Sequence, residues 1–110
     1  MNQVRIRAKS VAKSALRYTP AGTAVLEASL MHEGSVSEAG GTRKLAFEFP
    51  SVAVGAIAQA LDREPLGASM TLVGFIAPRT RRSQRLVVHI VEYEVFGSEI
   101  NDGLRINDGV

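Results

Sequence analysis

The sequence predicts an all-β domain: a five-stranded Greek-key barrel with one short helix between the third and fourth strands. Three observations lead there. Apolar residues recur with period two in five separate runs, the pattern of half-buried strands. One alanine-rich stretch, residues 51–62, breaks that pattern after the third run. No βαβ unit of ~30 residues appears, so a parallel α/β sheet has no support. An SH3-like barrel has a similar strand content, but the helix after the third strand argues against it.

The first strand covers residues 3–13, where Val4, Ile6 and Ala8 alternate with Arg5, Arg7 and Lys9. Its basic face either solvates the strand, blunts an edge or binds an anion. The stretch Leu16 to Val25 reverses the chain. Pro20 pre-sets one backbone angle, and Gly22 supplies the positive φ that other residues avoid. Ala24–Glu33 is the second strand, with Leu26, Ala28 and Leu30 on one face. Residues 34–42 hold three glycines and two serines and read as a mobile loop.

Residues 43–49 are the third strand, with Leu45, Phe47 and Phe49 expected in the barrel interior. Phe47 or Phe49 could instead offer a base-stacking platform. Pro50 cannot donate to a ladder and is expected to end the strand. Ser51 is a candidate N-cap for a helix at 52–61, although Gly55 costs about 1 kcal/mol of propensity there. Pro65-Leu66-Gly67 is a turn. Residues 69–77 are the fourth strand, with Gly74 marking a bulge or sharp bend. Residues 86–95 are the fifth. Beyond Gly97, Gly, Asn and Asp dominate, and 97–110 reads as a flexible acidic tail.

At 110 residues there is room for one domain. Cysteine is absent, which excludes disulfides and cysteine-ligated metal. No apolar run approaches a membrane span and no signal-peptide core opens the chain, so a cytoplasmic protein is expected. The net charge of +2 conceals an asymmetry. Residues 1–91 carry twelve Lys/Arg against six Asp/Glu; residues 92–110 carry five acids against Arg105. A basic body with an acidic tail suits a polyanion partner.

Catalysis has little to build on. His32 and His89 are the only histidines, and no phosphate-cradling glycine motif or Gly-x-Ser-x-Gly elbow is present. No catalytic, metal or cofactor residue is assigned, and a non-enzyme is expected. His89, between Val88 and Ile90, reads as a hydrogen-bonded structural histidine. The strongest site signal is Arg79, Arg81, Arg82 and Arg85, packed between two strands without an acid. Such a cluster repels itself, and a phosphate backbone relieves that cost; the guanidinium plane also stacks on bases. The alternative is a solvated hairpin. Arg43 and Lys44 add charge on the third strand. Arg17 and Tyr18 interleave charge with an aromatic, although Tyr18 could simply pack the turn.

These pieces resemble the primosomal branch of the bacterial single-stranded-DNA-binding protein family over roughly residues 2–95. The marks are Leu16-Arg17 followed by Pro20-Ala21-Gly22, His32, Pro50, Gly74-Phe75-Ile76 before a basic loop, and His89, in that order. The resemblance implies an OB-fold over 1–96, with the helix closing one barrel end. In OB-folds the loops after the first and fourth strands flank the nucleic-acid face. It further implies a homodimer that binds single-stranded DNA and works in replication restart with a PriA-type helicase and other primosome proteins. Single-stranded DNA would meet Arg17, Tyr18, Arg43, Lys44, Arg79, Arg81, Arg82 and Arg85.

The chain departs from the family's pattern at Ala46, where a tryptophan is usual, at Glu33, where a base is usual, and in a shorter 78–85 loop. A protein-interaction module with vestigial nucleic-acid binding is therefore the rival reading, and an RNA-preferring OB-fold a second.

Overall fold

The computed structural model describes residues 1–96. The chain runs β1 (Val4–Lys13), β2 (Arg17–Tyr18), β3 (Ala24–Glu38), β4 (Gly41–Val54), α1 (Ala56–Arg63), β5 (Ser69–Pro78) and β6 (Leu86–Val95). The strand order β1-β5-β6-β4-β3-β2, with β1 also pairing β3, closes a five-stranded barrel with β2 as an added pair of residues. All ladders are antiparallel except a short parallel one that joins Ser51–Ala53 of β4 to Val88–Ile90 of β6. This is the OB-fold topology, with the helix where the alanine-rich stretch announced it. No helix among the described residues is long and apolar enough to cross a membrane. The expected tail lies outside the described residues.

The interior follows the alternation. Leu26, Leu30, Met70 and Leu72 are fully buried, and Ala8, Ala53 and Ile90 join them. Ala58 and Leu61, three apart on one helix face, close the barrel end. The turn after β2 forms as expected: the Gly22 N–H donates to the Thr19 carbonyl at 2.8 Å, with Gly22 at φ 88°. Lys13, at the end of β1, donates to the carbonyls of Leu61, Asp62 and Glu64 at 3.4, 2.9 and 2.7 Å. Its ammonium thereby satisfies carbonyls left over at the helix C-terminus and meets the negative end of the helix dipole.

Four expectations change. Residues 34–42 are not a loop: β3 and β4 continue through them, pairing out to Glu38 and Gly41. The reversal is a two-residue turn with Ala39 at φ 53° and Gly40 at φ 80°, the positive values a tight hairpin needs. Glycine and serine content pointed to a loop; the cross-strand ladder overrode it. Pro50 does not end its strand. It sits opposite Ser29, and pairing resumes at once with Ser51 and Ala28. Losing one donor does not stop a chain held between β3 and β6. The helix consequently begins later. Ser51 is no cap but a buried strand residue, donating from Oγ to the Ala28 carbonyl at 2.9 Å. Gly55, at φ 89°, makes the corner into α1 that Val52 and Val54, as β-branched residues, would not favour.

The last change concerns the aromatics of β4. Phe49 packs against the core, but Phe47 is 41% exposed and Leu45 only half-buried. They share the interior face, yet β3 and β4 project past the barrel there and nothing described covers them. Gly74 behaves as expected. The β5–β6 register shifts between Val73 and Gly74, so that Val73 opposes Glu92 and Gly74 opposes Ile90, with Val91 extra on β6. A Cβ at Gly74 would lie 1.9 Å from the His89 carbonyl oxygen, so only glycine fits this seam.

Candidate nucleic-acid interface

Residues paired across a ladder share a face. Glu27 opposes Val52, Val52 opposes His89, and His89 opposes Phe75. That row crosses the outer surface of β3, β4, β6 and β5. Val25, Val52 and Val87 form a small apolar cluster on it. An open cleft of about 310 Å³ lies here, between Lys13 and Ser14 on one side and Pro50, Val52, Arg79 and Val87 on the other. The β5–β6 loop borders it, so the arginine cluster and the cleft adjoin.

The structure brings two of the eight candidate residues together. Arg17, from β2, donates to Glu27 Oε2 at 2.9 Å, and Arg79, from the β5–β6 loop, pairs with the same oxygen. The two arginines are about half exposed and the shared carboxylate 23% exposed. Arg81, Arg82 and Arg85 lie exposed in the loop beyond. Lys44 sits on the outer face farther out, opposite Ser35.

The other two point elsewhere. Tyr18 follows Arg17 on a strand and so faces the opposite side, opposed to Ala24 and 56% exposed. Arg43 shares the face of Leu45 and Phe47, and its guanidinium pairs with Glu38 at 2.9 Å.

Charge on this surface is segregated. The β3–β4 floor carries Glu27, Glu33 and Glu48 against Lys44, with Glu48 accepting from Ser29 Oγ at 3.1 Å. The cations stand at the flanks, in β2 and the β5–β6 loop. Glu33 and Ala46, two of the three departures noted in the sequence, prove to be direct cross-strand neighbours, both exposed.

Sequence reasoning missed an aromatic here. Phe75, 37% exposed, lies parallel to the His89 ring, with centroids 4.7 Å apart and planes at 10°. The expected hydrogen-bonded histidine is instead a stacked one; its buried Nε2 has no hydrogen-bond partner among the described residues. The signal was present, since Phe75 and His89 both occupy outward positions next to Gly74, but the pairing needs the β5–β6 register.

Residues 2–92 match the model of a family described as another single-strand binding protein family. The replication restart protein PriB of Bordetella pertussis is 38% identical over 90 residues, 82% of this chain and 84% of that protein. This chain belongs to the PriB family. The PriB of Nitrosomonas europaea is 37% identical over 81% of the chain and 82% of its own length. Among solved structures, PriB from Ralstonia solanacearum superposes with a TM-score of 0.79 at 33% identity, covering 86% of this chain and 97% of that one. The single-stranded DNA binding protein of Thermus aquaticus gives a TM-score of 0.69 at 20% identity, over 87% of this chain and half of that one, and so shares the fold. This chain of the PriB family has the closed barrel, carries Ala46 on the outer face of the hairpin and places Phe75 beside the basic loop.

Proposed function

We propose that this protein binds single-stranded DNA, without catalysis, as an accessory of replication restart. The observation that carries this is the arginine-rich β5–β6 loop beside the outer cleft, whose Arg79 meets Arg17 of β2 at Glu27. Arg79, Arg81, Arg82 and Arg85 would hold the phosphate backbone, with Arg17 and Lys44 extending the track. Phe75 would offer a base its free ring face, and Tyr18 and Arg43 would meet strand that leaves the groove. Exposed stacking is worth ~1–3 kcal/mol per base. With Ala46 in place of a large aromatic, binding leans on charge. A homodimer working with a PriA-type helicase completes the reading, on the strength of family membership.

The acidic hairpin surface around Glu33 and Ala46 supports a second reading, in which the body contacts proteins and DNA binding is residual. An anisotropy titration of a labelled single-stranded oligonucleotide at two salt concentrations separates the two. Each phosphate contact contributes roughly 0.7 to the log–log salt slope on single strands, so Arg81→Ala/Arg82→Ala, which removes two arginines outside the ion pairs, should reduce the slope by about 1.4 and weaken binding. Absence of binding at low salt leaves the protein-interaction reading.

A further inference from the structure

Glu27 is the only carboxylate among the described residues that meets two arginines, and it does so through one oxygen. The arginines come from separate elements, β2 and the β5–β6 loop, on the two sides of the cleft floor. Glu27 itself stands in that floor, opposite Val52. A carboxylate and a phosphodiester are alike where an arginine is concerned. Each carries one negative charge on two oxygens, and each accepts the planar fork of a guanidinium.

We propose that Glu27 is a built-in stand-in for a DNA phosphate. In the free protein it holds Arg17 and Arg79 across the groove. An entering backbone phosphate takes over at least one of them. The exchange replaces one arginine–anion pair with another of similar strength, so these two arginines contribute less to affinity than two free ones would. It also leaves the Glu27 carboxylate beside an incoming phosphate, where like charges repel. Glu27 thus sets the threshold a polyanion must exceed: a strand that also engages Arg81, Arg82 and Arg85 clears it, and an isolated phosphate does not.

This inference rests on the single-stranded DNA reading, and its sign is opposite to the obvious alternative. If Glu27 pre-organised the arginines for binding, removing its charge would weaken binding; as a competitor, removing it tightens binding. The test is a low-salt anisotropy titration with a labelled oligothymidylate, comparing wild type with Glu27→Gln, which keeps the shape and an acceptor oxygen. Exposed ion pairs being as weak as they are, Glu27→Gln should tighten binding by about three- to tenfold.

The salt slope should steepen by roughly 0.7 for each arginine released. The same substitution in an Arg17→Ala/Arg79→Ala background should gain less than about twofold, the residue of general field repulsion at that separation. Wild type that binds, with Glu27→Gln unchanged or weaker, overturns the inference alone. Equal tightening in both backgrounds also overturns it, by reducing Glu27 to one negative charge among several. Binding by none of the proteins at low salt overturns the DNA reading and this inference with it.

Discussion

The β3–β4 wall of the barrel and the projecting β3–β4 hairpin are built from the same two strands, with the same period, yet only the barrel end faces an interior. Leu30 opposes Phe49 and His32 opposes Phe47 on the same face, one step apart along the ladder. Leu30 is 1% exposed and Phe47 41%. The difference is what lies across from them. At Leu30 the far wall of the barrel is present; at Phe47 the wall has ended, and His32 and Phe49 are its aromatic neighbours, with ring centroids at 5.3 and 5.9 Å. Period two reports which side chains share a face. Whether that face is covered depends on strands distant in sequence.

The comparison can be broken most directly by truncation. Leu30→Ala should cost about 2–5 kcal/mol in denaturant unfolding, because the cavity it leaves is walled on all sides. Phe47→Ala should cost about 1 kcal/mol or less, as substitutions at partly exposed sites do. Equal costs would mean that the hairpin's apolar face is covered in solution, and the Phe47→Ala cost would then depend on protein concentration.

Tyr93 sharpens the barrel side of the contrast. Its hydroxyl donates to Glu64 Oε2 at 2.8 Å beside the helix end. Burial first, and then that hydrogen bond and the Glu64 charge, push the phenol up to about 12 from 10.0. A group whose folded pKa is raised gives stability that is complete below its unfolded value and is lost as pH climbs through the folded one. Stability should therefore fall between about pH 10 and 12, and Tyr93→Phe should flatten that part of a pH-dependent thermal-unfolding profile.

The smallest effect belongs to the hairpin tip. Ala39 holds a positive φ that an L-residue adopts at some cost. Ala39→Asn, a residue that two-residue turns favour, should stabilise the hairpin by about 0.5–1 kcal/mol. The gain should appear as slower amide exchange in residues 33–46, with the barrel amides unmoved.

Much of this architecture was legible beforehand, for a physical reason. Alternation in Val4–Ala8, Leu26–Leu30 and Met70–Leu72 reflects a local constraint, the pleat, that operates without knowledge of the rest of the chain. Gly74 was legible as a seam because little else justifies glycine inside such an apolar run. What could not be read depended on partners far along the chain. Ser51–Val54 looked helical by composition and is held extended by β3 and β6 on either side. Residues 34–42 looked like a loop until their ladder partners were known. At the candidate site, the arginine loop announced itself by its own charge density. The convergence of Arg17 and Arg79 on Glu27 did not, because no local pattern links β2, β3 and the β5–β6 loop. Nor did the stacking of Phe75 on His89, which needs a register that shifts by one residue.

That shift has a consequence of its own. Before Val91, the even-numbered residues of β6, Val88 and Ile90, turn inward; after it, Tyr93 does. Val91 itself is 53% exposed. Its contribution is a change of parity, which lets one strand send His89 outward to Phe75 and Tyr93 inward to Glu64. The position is thus permissive about which residue occupies it and intolerant of being left out. Deleting it would turn one half of β6 inside out, removing either the outward ring at 89 or the inward phenol at 93, while changing the chain by a single exposed valine.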